Sequence, residues 1–179
     1  IAKSIGALTV VDNTFLTPCY QQPLKLGADI VTHSSTKYLG GHNDTISGFL
    51  CMADKVLGEQ LHKIAYAQGS TLSPFDSYMM IRGIKTLAVR MERQQQTALA
   101  IAKWLEGQKK VKKVHYVGLE SHPGYERNAS QSRGSGGMLS FTVDSHETAL
   151  KILMGVKVIT FAESLGGPES LITLPSLQT

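Results

Sequence analysis

Residues 31–42 read Val31-Thr32-His33-Ser34-Ser35-Thr36-Lys37-Tyr38-Leu39-Gly40-Gly41-His42, and residues 10–14 before them read Val10-Val11-Asp12-Asn13-Thr14. In the first segment a lysine directly follows hydroxyl side chains at alternate positions, and in the second an acid ends an apolar run. A lysine can form an imine with an aldehyde, hydroxyls can hydrogen-bond a phosphate, and a buried acid can pair with a protonated ring nitrogen. The two segments therefore indicate a pyridoxal-phosphate site.

Each of these residues also has an ordinary structural interpretation. A lysine is usually a solvated surface charge, and an aspartate after a strand is more often a turn or cap acid than a cofactor partner. Ser34 and Thr36 lie two residues apart, so in an extended segment both hydroxyls point the same way, toward the phosphate. Thr14 lies two residues beyond Asp12 and is placed to contact the cofactor ring. The arrangement as a whole favours the cofactor interpretation around Lys37.

Segments along essentially the whole chain resemble the Cys/Met-metabolism family of pyridoxal-phosphate enzymes, which includes the cystathionine synthases and lyases. The matching segments are VVDNTF at 10–15, LGADIVTHSSTKYLGGHND at 26–44, GGMLSF at 136–141 and FAESLGGPESLITLP at 161–175. The resemblance implies an α/β fold of the aspartate aminotransferase-like type I class. Such a fold has a large cofactor domain with a mostly parallel sheet and a smaller α+β C-terminal domain.

The same resemblance implies roles for individual residues. Lys37 would hold the cofactor and, once displaced by the substrate, carry protons between the substrate's Cα, the cofactor carbon and Cβ. Asp12 would favour the protonated pyridine nitrogen. Ser164 would lie near the substrate carboxylate and Glu163 would read the distal group of the substrate, although Glu163 equally suits a solvated acid at a strand-to-turn junction.

Hydrophobic patterning predicts a mixed order of strands and helices. We predict that residues 1–108 form the C-terminal part of the large domain, including a long connecting helix, and that residues 109–179 form the N-terminal part of the small domain. Charged side chains on the connecting helix are expected to be solvated or subunit-facing, namely Arg82, Lys85, Arg90, Glu92 and Arg93. The predicted strands are 7–11, 28–32, 47–52, 111–116, 138–143 and 158–161, and the predicted helices are 20–26, 54–68, 77–108 with a break near Gly83, and 147–154, with 122–135 as a loop that admits one short helix.

Composition places the chain among globular proteins, with 42% hydrophobic and 18% charged residues. No apolar run approaches the roughly 18 residues of a membrane span, so no membrane partner is expected. The net charge of +4 would suit nucleic acid, but the basic cluster at 109–113 has no interleaved aromatic residues, which favours a solvated face instead. Cys19 and Cys51 lack metal or redox spacing and suit buried free thiols in a cytoplasmic protein.

Two histidines in the lysine segment are candidates for metal binding. His33 and His42 lie nine positions apart with no third ligand nearby, so we predict structural roles for both and no metal. Gly40-Gly41 lacks the order of a nucleotide-binding loop and more simply lets the backbone pass close to the cofactor pocket.

Three functions agree with the sequence. The first is γ-replacement, in which an O-acyl homoserine and cysteine give cystathionine in methionine biosynthesis. The second is elimination by a cystathionine γ- or β-lyase or a methionine γ-lyase-like enzyme, and the third is a non-catalytic scaffold of the same fold. The resemblance inclines toward the synthase.

The resemblance also implies that the chain is a fragment. Family members are roughly twice as long, with small amino-acid substrates and active sites shared between the subunits of a homotetramer. The ring-stacking tyrosine and the residues donated by a neighbouring subunit would precede Ile1, and the arginine that clamps the substrate carboxylate would follow Thr179. The fragment alone is therefore expected to be inactive.

Overall fold

A computed structural model describes residues 1–177 of the chain, in which helices and strands follow one another in mixed order. The helices are α1 (Thr17–Tyr20), α2 (Lys55–Ala67), α3 (Pro74–Ile84), α4 (Leu87–Glu106), α5 (Tyr125–Gln131) and α6 (His146–Gly155). The strands are β1 (Val10–Asp12), β2 (Ile30–Ser34), β3 (Gly48–Met52), β4 (Val111–His115), β5 (Ser140–Val143), β6 (Thr160–Phe161) and β7 (Leu171–Ile172).

The first three strands form one sheet in the order β1-β2-β3. Strands β1 and β2 are parallel, with Asp12 opposite Thr32, so their carboxyl ends meet at one edge of the sheet. Strand β3 is antiparallel to β2, with Gly48 opposite Ser34. A mostly parallel sheet was predicted, whereas of the two pairings described one is parallel and one antiparallel. The reason is that the lysine segment turns the chain straight back into β3 without a crossover helix.

Helices α3 and α4 confirm the predicted helical segment and its break. The break falls at residues 85–86, directly after the predicted Gly83. The backbone of Gly83 lies against the carbonyl of Gly40, so a Cβ at position 83 would collide with it. Both helices contribute to a buried cluster with the lysine segment, formed by Tyr38, Leu39, Met80, Leu87 and Met91. The two helices therefore support the lysine segment directly.

Strand β4 and the segment that follows it pack on the C-terminal half of α4. Strands β4 and β5 are antiparallel, with a register shift between Val111 and Lys113, and β6 and β7 are parallel. A second buried cluster joins α4 to the segment after β4 and contains Ala98, Ala102, Tyr116 and Leu119. Helix α4 thus contributes to both clusters, and the division between residues 108 and 109 stays a prediction.

Several element predictions differ from the structure in detail. The single helix predicted over 20–26 is split into α1 and a 3-10 turn at Pro23–Leu26, which ends at Gly27 with a φ of 99°. Helix α5 lies inside the segment predicted as a loop with a possible short helix. Strand β7 has two residues and was not predicted. In each case the element is too short for a periodic pattern to develop.

Candidate active site

A cavity of about 520 Å³ opens at the carboxyl ends of β1 and β2. The site residues Asp12, Thr14, Ser34 and Lys37, predicted from segments some twenty residues apart, all line it. The other lining residues are Asn13, Phe15, Leu16, Gln21 and Leu165. The parallel pairing of β1 with β2 is what brings the acid and the first phosphate hydroxyl to the same edge, as expected for ligand sites of open α/β sheets.

A chain of hydrogen bonds links Asp12 to β2. The Oδ1 atom of Asp12 accepts from the backbone N–H of Thr14 at 2.9 Å and from its hydroxyl at 2.6 Å. The Thr14 hydroxyl oxygen in turn accepts from the backbone N–H of Ser34 at 2.8 Å. These donors, the Thr14 hydroxyl first, lower the pKa of Asp12 below its ordinary value, so this carboxyl is an anion at neutral pH. The hydroxyl of Thr14 is thus engaged with Asp12 and Ser34 rather than directed freely into the cavity.

The burial expected for Asp12 is wrong for this chain. The side chain is exposed, while its neighbours Asn13 and Thr14 are buried. The reason is that, among residues 1–177, Asp12 ends a strand at the edge of the sheet and lines the open wall of the cavity. Cys51 was also expected to be buried and is exposed, because the chain-reversing strand β3 leaves it on the outer edge of the sheet.

Lys37 lies in a tight turn directly after β2. The backbone N–H of Lys37 donates to Ser34 O at 3.2 Å, and Lys37 O accepts from the N–H of Gly41 at 2.7 Å. Its Nζ donates to the hydroxyl of Ser164 at 3.3 Å. Ser164 has a φ of 134°, a conformation that L-residues rarely adopt and that costs backbone strain. The strained serine therefore presents its hydroxyl to the amine of Lys37.

The segment after Ser164 closes over the lysine turn. A Cβ built on Gly166 would lie 2.5 Å from the backbone nitrogen of Tyr38, so glycine allows this segment to pack on the Lys37–Tyr38 peptide. The carbonyl of Gly167 accepts from Gln94 Nε2 at 2.9 Å, and Asn43 donates to Glu169 at 2.8 Å. The segment 164–169, which we name the clasp, thus holds the lysine turn from the C-terminal part of the chain.

Two predicted residues lie away from the cavity wall. The Thr36 hydroxyl donates to Ser47 O at 3.2 Å and accepts from Ser47 N at 2.9 Å, so its proton is used inside the protein. Glu163 is exposed and forms no salt bridge or side-chain hydrogen bond within residues 1–177. The structure therefore brings four of the predicted side chains to the cavity itself, with Ser164 adjacent through Lys37.

The histidines of the lysine segment differ in environment. Nδ1 of His42 lies 2.7 Å from Gly40 O, which agrees with a structural role. His33 is buried, its Nδ1 has no hydrogen-bond partner within the described residues 1–177, and desolvation lowers its pKa. Within residues 1–177 no three His, Cys, Asp or Glu side chains are grouped to hold a metal ion. In the same range no helix combines the length and apolar character of a membrane span.

Sequence reasoning missed three residues near the site. Asn13 is buried and its side-chain amide donates to Thr17 O at 3.1 Å and Gln21 O at 2.9 Å, which fixes the turn after β1. An Asn directly after a strand acid is a turn signal that points to this role. Gln94, whose amide donates to Gly167 O, lies in the middle of a helix, and no sequence pattern there predicts this contact. Arg90 was expected to be solvated or subunit-facing, but its guanidinium is half-buried and bonded to the lysine turn, because α4 begins beside that turn.

The donor set fits pyridoxal phosphate. The Lys37 amine, the anionic Asp12 carboxylate and the Ser34 hydroxyl, which has no partner in the part of the chain that the structure describes, face one cavity. They match the aldehyde, ring nitrogen and phosphate of this cofactor. A crystal structure of cystathionine gamma synthase from Xanthomonas oryzae pv. oryzae, in complex with aminoacrylate and cysteine, has the same fold. The TM-score is 0.95 at 47% identity, over 98% of this chain and 46% of that one. The fold is therefore that of the type I pyridoxal-phosphate enzymes.

The family follows from the sequence comparisons. The model of the Cys/Met metabolism PLP-dependent enzyme family matches residues 1–179, and the chain belongs to this family. A cystathionine gamma-lyase of Bacillus subtilis (strain 168) is 50% identical over all 179 residues, and a cystathionine beta-lyase of Coxiella burnetii is 50% identical over 182 aligned positions. The match covers 47% of each of these proteins, so the chain spans about half the length of the curated relatives it matches. The predicted family, fold class and cofactor dependence are confirmed.

Proposed function

We propose that this chain supplies the cofactor-binding residues of an enzyme of sulfur amino acid metabolism, and that the full-length protein makes cystathionine by γ-replacement. In this reaction the thiol sulfur of cysteine bonds to Cγ of an O-acyl homoserine while the Cγ–O bond breaks and a carboxylic acid leaves. The observation that carries the proposal is the convergence of the Lys37 amine, the Asp12 carboxylate and the Ser34 hydroxyl on one cavity.

Each polar residue of the cavity would contact a different part of the cofactor. When bound, pyridoxal phosphate supplies an electron-accepting ring that withdraws charge from the substrate's Cα. Asp12, kept ionised by Thr14, would lie against the ring nitrogen and hold its proton. Ser34 would donate to the phosphate, because its hydroxyl has no internal partner among residues 1–177. Thr36 would join it by giving up its 3.2 Å bond to Ser47 O.

Lys37 would serve as cofactor anchor and proton carrier. Its Nζ is 3.3 Å from the Ser164 hydroxyl, which can hold the freed amine beside the substrate. There the amine would take a proton from Cα and then one from Cβ, which lets the carboxylic acid leave from Cγ, and would return protons to both carbons after the thiol has bonded. Because the Ser164 oxygen accepts from Lys37, its own proton stays available for the substrate carboxylate. Glu163, one residue earlier and without a salt bridge within residues 1–177, is the proposed reader of the distal group of the substrate.

A lyase acting on cystathionine is the second candidate. The Bacillus subtilis and Coxiella burnetii relatives are lyases, and the Xanthomonas oryzae structure is of a synthase. All three reactions begin with loss of the Cα proton, so the roles proposed for Lys37 and Asp12 serve each of them. We favour γ-replacement because segments 26–44 and 161–175, around Lys37 and Ser164, incline toward the synthases.

Two assays of the full-length protein separate these candidates. An O-acyl homoserine plus cysteine should give cystathionine and the carboxylic acid in equal amounts, with little 2-oxo acid from cystathionine alone. A lyase would instead give 2-oxo acid and ammonia from cystathionine alone. The matched control is Lys37→Ala, which should be inactive in both assays. A protein that is inactive in both and takes no cofactor label on borohydride reduction would be a scaffold, and the proposed function would be wrong.

A further inference from the structure

Arg90, in the second turn of α4, ties three parts of the molecule together through its guanidinium. Nη1 donates to Tyr38 O at 2.8 Å, Nη2 donates to Gly83 O at 2.8 Å, and Nε donates to the Thr86 hydroxyl at 3.0 Å. The first acceptor is the carbonyl of Tyr38, the residue that follows Lys37. The other two lie at the C-terminal end of α3 and at the start of α4.

The three acceptors of this guanidinium are uncharged: two backbone carbonyls and one hydroxyl. The guanidinium is half-buried, and within residues 1–177 it forms no salt bridge. Desolvation lowers its pKa, but an arginine keeps its charge at neutral pH. Burying a cation against neutral acceptors costs solvation free energy, so the three hydrogen bonds and the geometry they impose must offset that cost.

The lysine turn is shaped around this side chain. Gly41 has a φ of 69°, and a Cβ at this position would overlap the Arg90 guanidinium. A Cβ at position 83 would likewise overlap the carbonyl oxygen of Gly40. The arginine therefore lies flat on the backbone of the turn, at a place where only glycine leaves room for it.

From these contacts we propose that Arg90 is a positioning residue for Lys37. It fixes the Lys37–Gly41 turn from α3 and α4, while the clasp packs on the Lys37–Tyr38 peptide of the same turn through Gly166. The direct bond to Tyr38 O sets the direction in which the neighbouring lysine leaves the backbone. Arg90 itself touches neither cofactor nor substrate in this scheme. The inference rests on the proposed function, because it assigns Lys37 as the cofactor anchor.

The test uses the full-length protein with the cofactor removed. Pyridoxal phosphate is added back, and covalent attachment to Lys37 is followed by the visible absorbance and by borohydride reduction with peptide mapping. In Arg90→Met the rate of attachment at saturating cofactor should fall by about tenfold or more, since small misplacements of a reacting group cost rates of this order. Arg90→Lys should not rescue it, because an ammonium cannot reproduce the planar fork that reaches three acceptors. The matched control is Arg93→Met, an exposed arginine on the same helix, which should attach cofactor at the parent rate.

A second background separates positioning from general damage. In Lys37→Ala the cofactor binds only non-covalently, and adding Arg90→Met should leave that affinity within about twofold, because the phosphate and ring contacts lie elsewhere. Thr86→Val keeps the side-chain shape and removes the acceptor of Arg90 Nε without touching the lysine turn. It should slow attachment in the same direction as Arg90→Met and by less, and the double variant should be no slower than Arg90→Met alone. Thr86→Val also provides the test if Arg90→Met does not fold.

The outcomes separate the positioning role of Arg90 from the proposed function of Lys37 as cofactor anchor. Attachment at the parent rate in Arg90→Met, or an equal loss of covalent attachment and non-covalent affinity, refutes the positioning role alone. Fully additive effects of Thr86→Val and Arg90→Met refute it as well. A parent protein that takes no label at Lys37 refutes the proposed function and this inference with it.

Discussion

Replacing Thr14 by valine tests the hydrogen-bond chain from Asp12 to β2. The substitution keeps the shape of the side chain and removes one hydroxyl, which donates to Asp12 at 2.6 Å and accepts from Ser34 N at 2.8 Å. A hydrogen bond to a charged group contributes about 1.5–3 kcal/mol and a neutral one about 0.5–1.5 kcal/mol. Because Asp12 is exposed, its bond is taken at or below the lower limit, and the two together should destabilise the protein by about 2 kcal/mol.

The measurement is urea unfolding of the cofactor-free full-length protein at pH 7, so that cofactor binding adds nothing to stability. Because m-values grow with protein size, we take about 4 kcal/mol per molar for the full-length protein, so the unfolding midpoint of Thr14→Val should fall by about 0.5 M. Thr14→Ser keeps the hydroxyl and is the matched control, with a midpoint close to that of the parent protein.

The pH dependence gives a second check on the same variant. The folded pKa of Asp12 lies below its ordinary value of 3.8, so the stabilisation it contributes is complete above that value and is lost as pH falls through the folded pKa. The difference between Thr14→Val and the parent should therefore shrink below about pH 3.8 toward the part contributed by Ser34. An unchanged midpoint at pH 7, or a difference equally large at pH 7 and pH 3, would refute the reasoning.

Three further predictions concern the full-length protein. Lys37→Ala should remove the borohydride label and nearly all turnover while the circular dichroism spectrum is retained, and near-normal turnover would contradict both proposed roles of the amine. Asp12→Asn should keep non-covalent cofactor binding but lower kcat by about tenfold or more, because an amide does not stabilise a ring proton as a charge does, and a kcat within twofold of the parent would reassign Asp12 to a structural role. Light scattering at assay concentration should find a homotetramer built from two dimers with shared active sites, and a fully active monomer would rule out the sharing.

The segments around Lys37 and Asp12 show how far the sequence predicts this site. Their residue types name the chemistry, and strand prediction places both at strand ends, so the convergence of Asp12, Thr14, Ser34 and Lys37 follows from parallel pairing. The tie between Thr36 and Ser47 does not follow, because it depends on β3 running back along β2. A chain reversal of that kind is set by tertiary contacts rather than by local pattern.

Arg90 shows where sequence reasoning fails. An arginine among Arg82, Lys85, Glu92 and Arg93 looks like one more solvated charge on a helix. Its partners are backbone carbonyls, which every residue carries, so no complementary side chain appears in the sequence to signal the contact. The two-residue strand β7 escapes prediction for a related reason, because two residues show no periodicity.

The bond between Lys37 and Ser164 joins positions 127 residues apart in the chain. At a synthesis rate of about 5–20 residues per second, these two residues leave the ribosome about 6–25 s apart. During that interval α3 and α4 can already support the lysine turn, but the clasp does not yet exist. Cofactor capture should therefore be a late event in the life of the nascent chain, after the sheet that carries Asp12 has formed. Borohydride labelling of ribosome-bound chains stalled before and well after the clasp would measure this order, and equal labelling of both would show that the clasp is dispensable for capture.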